Sequence, residues 1–569
     1  MHVTVGTSND HVGILFDGVH LGSEGFKEID AGQLNTGFVR TEGIVRGFLQ
    51  TDPGDELFNR LEMKLGYSRE QSNETYLGLS DADFQANPNR RYASSQLDQM
   101  NWWRSSVSAT HILQAGDDFE LRTDLYRNDF DRSWRRLNRF RNGPELLDVL
   151  SDPEGPQNRV FYEVLTGARD SASTEDPAQD QEDLMVIDND RRFLSQGVQT
   201  KTRFDFETGA VTHEVEAGVR LHYDRIDRDH QEQGYQMQNL QLVLDGRDRT
   251  PIDDNTGTSL AFAGYAVYAL TFFDVTLTPG IRIEAIHNTF ESRIPADPTA
   301  PTVGEVSTDQ AVAIPGIGAN WSITDEVSVL AGLHRGFSPV APGQPEEVQP
   351  ETSINYEVGG RVYDADAGSL GELIFFFNDY ENITGQCGGS TGCPPDLIDR
   401  QFNGGAASVL GFEAAGVHRF DLGDDLGVPV RLAYTFTHGE FRTSFNSQNP
   451  TFGDVEAGDQ IPYVPQHQGQ LQVGIDRGEA WHLRASATYV GAMREEAGGG
   501  DPDPSRGELP KTDDYVLLDV VAGYRVFERL YLYTRLENIL NSRPIAARRP
   551  FGARPVRPFM VQVGVRVDI

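Results

Sequence analysis

Cysteine and lysine are scarce in this chain, and each scarcity excludes a class of protein. Two cysteines in 569 residues exclude a disulfide-rich secreted scaffold and a four-cysteine zinc site. Only four lysines occur, so arginine supplies 45 of the 49 basic residues. Acidic residues number 86, and the resulting net charge of −37 argues against a nucleic-acid-binding protein, which needs a basic face.

Long apolar runs are also missing. No stretch of 18 or more apolar residues occurs, so the sequence predicts no membrane-spanning helix. A transmembrane β-barrel is still compatible with this composition, because barrel strands alternate between lipid-facing and lumen-facing residues and are hydrophilic on average.

The dominant pattern in the chain is an alternation of apolar and polar residues with a period of two. It is clearest in the segments 211–224, 516–527 and 559–569, where one face is apolar and the other carries charge over 11 to 14 residues. Strands of soluble sandwiches usually run about 5–6 residues, whereas strands of about 10 residues are typical of transmembrane barrels. The pattern therefore favours a membrane barrel over a soluble all-β array.

Short turns and long polar loops alternate without exception along the chain. The predicted short turns lie near 8–10, 51–55, 115–119, 208–210, 273–275, 324–326, 365–371, 421–428, 476–479 and 527–529. The predicted long loops are 30–38, 71–97, 131–190, 225–258, 287–310, 336–353, 379–408, 440–462, 491–514 and 540–557. Outer-membrane barrels have this arrangement, with short periplasmic turns and longer extracellular loops. The predicted fold is all-β, a transmembrane antiparallel β-barrel of the 22-strand type with about 21 strands in this chain.

An odd number of strands is unusual, because bacterial single-chain barrels close with an even number. The first predicted strand leads into a short turn, so it runs downward from the cell surface. We therefore expect one upward strand to be missing before residue 1, with residues 1–569 forming the barrel domain. On this view the first and last strands pair imperfectly or not at all.

Four stretches of the sequence resemble TonB-dependent outer-membrane receptors, namely 58–96, 330–361, 403–413 and 536–567. The most specific is LAGLHRGFSPVAPGQPEEVQPETSINYEVGGR at 330–361. Within that family the chain is most similar to the ferric citrate receptors. The resemblance implies a 22-stranded barrel filled by an N-terminal plug that carries the TonB box, and we expect that plug domain to be absent from this chain.

The resemblance also implies a function. The protein is then not an enzyme but an outer-membrane receptor and transporter for ferric citrate or a similar anionic iron chelate, TonB-dependent in its full-length form. Its expected partners are the chelate, outer-membrane lipid and lipopolysaccharide, and TonB only through the missing plug, with no nucleic acid. We expect a monomer without a cofactor, iron entering only within the chelate. Another cargo (a different siderophore, cobalamin or a carbohydrate) and a passive pore are the alternatives.

Arginines are the candidate ligand-binding residues, because guanidinium groups pair bidentately with carboxylates. Strand direction and alternation place four of them on the lumen face near the extracellular end, and two more reach the same mouth from the loop 71–97. The set is Arg104, Arg132, Arg136 and Arg220 on the strands, with Arg90 and Arg91 in the loop. The alternative is that they pair with lumen acids such as Asp124 or Glu214.

Cys387 and Cys393 lie in one predicted loop. An oxidising periplasm favours a disulfide between them, and two cysteines alone make an incomplete metal site. The residues 388–392 between them fit the G-x-S-x-G motif of hydrolases. That motif needs a strand–turn–helix context and a partnered histidine and acid, which the sequence does not provide, so we predict no catalytic site and no metal site here.

Overall fold

The computed structural model describes residues 1–32, 35–172, 180–294, 305–365, 367–388, 391–394, 397–502 and 509–568. Within these residues, twenty-one strands pair in chain order in one antiparallel sheet, which confirms the predicted number. They are β1 (His2–Ser8), β2 (Val12–Ser23), β3 (Phe38–Gln50), β4 (Leu57–Ser72), β5 (Gln99–Ala115), β6 (Phe119–Phe140), β7 (Leu184–Thr208), β8 (Val211–Gln238), β9 (Thr250–Phe272), β10 (Val275–Ser292), β11 (Glu305–Ser322), β12 (Val327–Ser338), β13 (Glu351–Asp364), β14 (Ser369–Asn382), β15 (Ala407–Gly423), β16 (Leu426–Phe441), β17 (His467–Arg477), β18 (Trp481–Val490), β19 (Tyr515–Phe527), β20 (Leu530–Glu537) and β21 (Met560–Val567).

The connections alternate between short and long, as the sequence predicts. The short strand Gln241–Leu244 folds back on the end of β8 and brings the sheet to 22 strands. Smaller pairs form within or between the long loops: Thr384–Gln386 with Gln401–Asn403, Phe445–Asn446 with Asp454–Val455, Ile545–Ala547 with Arg554–Pro555, and Glu28–Ile29 with Arg90–Arg91. Within the described ranges, no ladder joins β1 to β21.

Among the described residues, the named helical segments lie in the long loops. They are α1 (Asp81–Ala86), α2 (Leu146–Ser151) and α3 (Arg159–Thr166), with a 3₁₀ turn at Ala93–Ser95. No helix in the described part of the chain is both long and apolar enough to cross a membrane.

Four neighbouring strands are much longer than the sequence predicts. β6, β7, β8 and β9 have 22, 25, 28 and 23 residues, so the predicted loops 131–190 and 225–258 are largely strand at their ends. Beyond the membrane the outer face of a strand no longer meets lipid. The outward-facing residues there need not be apolar, although the strand continues to pair with its neighbours. The alternation in the sequence therefore identifies only the part of each strand that faces lipid.

The two faces of the sheet differ as the alternation predicts. Leu125 on β6 and Val219 on β8 are each 53% exposed, and Val563 on β21 is 78% exposed. Such exposed apolar side chains form the lipid-facing surface. The opposite face carries hydrogen-bonded polar groups, for example Arg122 with Asp124, whose nitrogen and oxygen lie 3.1 Å apart. Arg104, Arg132 and Arg220 share this lumen face, as predicted.

Three long loops share a hydrophobic core above one part of the barrel. Leu79 of loop 73–98, Val149 and Leu165 of loop 141–183, and Phe551 of loop 538–559 are buried within it. Gly78 donates its backbone N–H to the carbonyl of Phe551 at 2.6 Å. A Cβ at position 78 would overlap the carbonyl oxygen of Gly552, so this close approach requires glycine.

Candidate functional site

Three arginines lie side by side on the lumen face at the long-loop end of the barrel. Arg132 of β6 is opposite Arg191 of β7, and Arg191 is opposite Arg228 of β8. Like charges directly opposite one another destabilise a sheet. The three guanidinium groups, called here the arginine cluster, therefore need anionic partners.

The main partner is Asp399, which belongs to the loop between β14 and β15. Arg191 donates two hydrogen bonds to its carboxylate, at 3.2 and 2.8 Å. The Nε of Arg228 lies 3.0 Å from the same carboxylate, as an ion pair without hydrogen-bond geometry. A bidentate guanidinium–carboxylate pair is among the strongest hydrogen-bonded pairs in proteins. The arginine cluster is thus arranged around the position of one carboxylate.

Neutral groups hold the arginines in place. The Oδ1 of Asn189 accepts one hydrogen bond from Arg132 and one from Arg191, both at 3.0 Å. Arg228 donates to Asn255 at 2.9 Å, and Arg191 donates to the Nε2 of buried His230 at 3.3 Å.

An arginine nitrogen without an acceptor and a second acidic residue complete the site. The Nε of Arg132 is buried and has no acceptor among the described residues. Asp253 lies at the edge of the site, with its carboxylate 3.7 Å from the Nδ1 of His230. Three guanidinium groups therefore face two carboxylates, and the site keeps a net positive charge.

Asp399 is placed by a small disulfide-closed hairpin. Cys387 and Cys393 form the disulfide that the sequence predicts. The N–H of Asp399 donates to the carbonyl of Cys387, and the N–H of Cys387 donates to the carbonyl of Arg400, both at 2.8 Å. Asp399 has a left-handed backbone, with φ of 68°, a conformation that aspartate adopts more often than most residues other than glycine.

The other strand arginines of the predicted set lie outside the cluster. Arg104 is exposed and donates to Asn128 at 3.2 Å. Arg136 is buried, donates to Asn138 at 2.9 Å and stacks over Tyr76, with its guanidinium carbon 4.3 Å from the ring centre. None of these contacts involves an acid, and a ligand role for these residues stays a prediction.

Arg220 lies on the same face but lower in the barrel. It donates to the hydroxyl of Tyr126 at 2.9 Å and contacts His222 at 3.0 Å. The two acids named as examples of alternative partners for the predicted arginines pair elsewhere, Asp124 with Arg122 and Glu214 with Arg203. Arg220 lines a cavity of about 310 Å³ with Asp224, Arg282 and Glu284.

Arg90 and Arg91 belong to the loop structure rather than to the lumen wall. Arg90 pairs with Asp83 at 2.6 Å and with Asp30 at 3.0 Å. Arg91 is fully buried and donates to Thr75 at 3.1 Å. Burial lowers the pKa of its guanidinium to about 10, with the neighbouring charge of Arg554 adding to the effect. Arg90 is accounted for by contacts within the loops, whereas the Nη2 of Arg91 has no acceptor among the described residues. A ligand role for both also stays a prediction.

The hydrolase-like motif at 388–392 lies only partly within the described structure. Gly389 and Ser390 lie outside the described residues. In the part of the chain that is described, no group of three or more His, Cys, Asp or Glu side chains is arranged to hold a metal ion.

A long-stranded antiparallel sheet with an apolar outer surface, a polar lumen, short turns at one rim and long loops at the other defines a bacterial outer-membrane barrel. A family model described as TonB dependent receptor-like, beta-barrel matches residues 47–539. The chain therefore belongs to the TonB-dependent receptor β-barrel family. It is an outer-membrane receptor and transporter of the kind found in Gram-negative bacteria, not an enzyme.

Solved structures share the fold at low sequence identity. The ferric citrate transporter FecA in its unliganded form is 17% identical, with a TM-score of 0.71 over 99% of this chain and 75% of its own. The siderophore receptor PiuA from Acinetobacter baumannii is 13% identical, with a TM-score of 0.74 over 100% and 79%. The ferric-catecholate import receptor Fiu from K12 E. coli is 16% identical, with a TM-score of 0.68 over 100% and 81%. No curated protein sequence matches the chain.

Proposed function

We propose that this protein takes up a ferric chelate whose exposed groups are carboxylates, such as ferric citrate, with TonB supplying the energy. The observation that carries the proposal is the arginine cluster, in which Arg191 and Arg228 already hold a carboxylate and Arg132 has an unused donor. Planar guanidinium groups match carboxylates in geometry as well as in charge.

The charge of the whole protein makes the cluster more significant. A net charge of −37 repels an anionic chelate, so binding requires a local concentration of positive charge. The cluster lies on the lumen face at the long-loop end, which is the extracellular end in outer-membrane barrels. Cargo arriving from outside the cell meets that end first.

The fold alone does not choose the cargo. Structures with this fold include a ferric citrate transporter and a ferric-catecholate import receptor. A catecholate chelate and a citrate chelate differ in the groups that they present. The arginine cluster favours the carboxylate, and this is why citrate is proposed rather than another siderophore, cobalamin or a carbohydrate.

Titration calorimetry of the full chain in detergent micelles tests the proposal. Arg191→Gln should weaken ferric citrate binding at least about tenfold, because it removes a charge-assisted bidentate pair. The matched control is Arg203→Gln, on the lumen face of β7 and already paired with Asp205 and Glu214, which should leave binding unchanged. Equal affinity in wild type and Arg191→Gln, or tighter binding of a ferric catecholate than of ferric citrate, would contradict the assignment.

A further inference from the structure

We propose that Asp399 is an internal ligand of the arginine cluster, occupying the position that a cargo carboxylate takes, so that cargo binding releases the disulfide-closed hairpin from the barrel wall. This inference rests on the proposed function for the identity of the cargo. The hairpin comprises the paired segments Thr384–Gln386 and Gln401–Asn403 with the disulfide between them.

The first argument is chemical identity. The side chain of Asp399 ends in the same group that a citrate chelate presents, and it binds Arg191 through both oxygens. Replacing it by a cargo carboxylate leaves the guanidinium groups paired throughout, so the exchange does not expose an uncompensated charge. A cargo with several carboxylates also reaches the free Nε of Arg132, which Asp399 leaves without an acceptor among the described residues.

The second argument is how the carboxylate is delivered. Asp399 reaches strands β7 and β8 from a loop 208 positions away in sequence from Arg191. Its backbone adopts a left-handed φ of 68° in doing so. The side chain carried by this turn residue pairs with Arg191 and Arg228, so the fold of a distant loop delivers the carboxylate to the wall.

The third argument is that the rest of the hairpin has its own anchor. The side chain of Gln344, in the loop between β12 and β13, donates to the carbonyl of Asp399 at 2.9 Å and accepts from the N–H of Gln401 at 2.7 Å. The hairpin therefore stays attached to a neighbouring loop when its carboxylate leaves the wall. Backbone hydrogen bonds to Cys387 and to the side chain of Gln344 keep Asp399 close to the cluster, which makes it an intramolecular competitor at high effective concentration.

Competition of this kind lowers the apparent affinity by the fraction of molecules in which the site is open. Removing the charge of Asp399 should therefore tighten ferric citrate binding. We expect Asp399→Asn to bind ferric citrate about tenfold more tightly than wild type, measured by titration calorimetry on the full chain in micelles. The matched control is Asp379→Asn, which removes a nearby ion pair with Arg442 and does not touch the cluster.

Hydrogen–deuterium exchange of the hairpin supplies a second measurement that does not depend on the variant. In wild type, ferric citrate should accelerate exchange at the amides of Cys387 and Asp399, which bond across the hairpin. Asp399→Asn should exchange faster there without any ligand. The double variant Cys387→Ala/Cys393→Ala should also bind ferric citrate more tightly, because its hairpin competes less effectively.

The outcomes separate the two proposals. Ferric citrate binding that depends on Arg191, with unchanged hairpin exchange and no gain in Asp399→Asn, overturns the internal ligand and leaves the cargo assignment standing. In the opposite case no variant binds ferric citrate, but iron-free citrate accelerates hydrogen exchange in the hairpin. That result overturns the proposed cargo and supports Asp399 as a displaceable carboxylate.

Discussion

Asp98 is the buried acid that ties the loop 73–98 to the barrel wall, and its protonation should control how readily that loop opens. It is 5% exposed and accepts backbone hydrogen bonds from Tyr76 at 2.8 Å and Leu137 at 3.1 Å. Burial raises the pKa of its carboxyl from the usual 3.8 to about 7, and the two backbone donors and the charge of Arg136 oppose that shift only in part.

A carboxyl whose pKa is higher in the closed loop than in the open loop stabilises the closed loop fully at low pH. That stabilisation is lost as the pH rises, until the closed-state pKa is passed. The pKa of Asp98 is 3.8 in the open loop and about 7 in the closed loop. At about 1.4 kcal/mol per pKa unit, the free energy that favours the closed loop should fall by about 2.5 kcal/mol between pH 5 and pH 8.

Amide hydrogen exchange at Tyr76 and Leu137, corrected for the intrinsic pH dependence of exchange, measures this opening. Wild type should show protection that falls by about two orders of magnitude from pH 5 to pH 8. In Asp98→Asn the dependence should vanish, and protection at pH 5 should drop, because an amide offers one acceptor oxygen to two buried donors. Protection that does not vary with pH in wild type, or the same slope in Asp98→Asn, would refute this account of Asp98.

Two further predictions concern the loop core and the lipid-facing surface. Leu165→Ala, at a fully buried position of α3, should reduce the stability of the loop core by about 2–5 kcal/mol, whereas Leu540→Ala, at a position 58% exposed in another long loop, should change it little. Local unfolding measured by exchange distinguishes the two. Val219→Arg on the outer face of β8 should lower the stability of the barrel in lipid by up to about 2–4 kcal/mol. Ser195→Arg on the lumen face, opposite the acidic Asp224, should be tolerated, and equal folding yields for the two in vesicles would contradict the assignment of faces.

The sequence predicts the barrel well because its physical constraint is local. Within the membrane each strand meets lipid on one side and the lumen on the other, so every second residue is apolar and the pattern is visible in segments such as 211–224. The same reasoning correctly places Arg132 and Arg220 on the lumen face. The disulfide is similarly local, since its two cysteines are six residues apart.

The sequence predicts the arginine cluster only in part, because the determinants of the cluster are not local. The predicted set includes Arg132 but not Arg191, and Arg228 lies within a predicted loop although β8 continues to Gln238. One pattern in the sequence does indicate the longer strand. Along 224–232 almost every residue is polar, and residues of opposite charge lie two positions apart, as Arg225 and Asp227 do. Asp399 has no sequence pattern that links it to β7 and β8, since its role depends on the folding of a distant loop into the lumen.

The most direct test of the central claim is the position of iron in the bound protein. Crystals of the full chain grown with ferric citrate should give an anomalous iron signal in the lumen, with a citrate carboxylate on Arg191 and Arg228. An iron signal elsewhere in the barrel, or one beside a cluster whose guanidinium groups make no contact with citrate, would contradict the assignment of this site to carboxylate cargo.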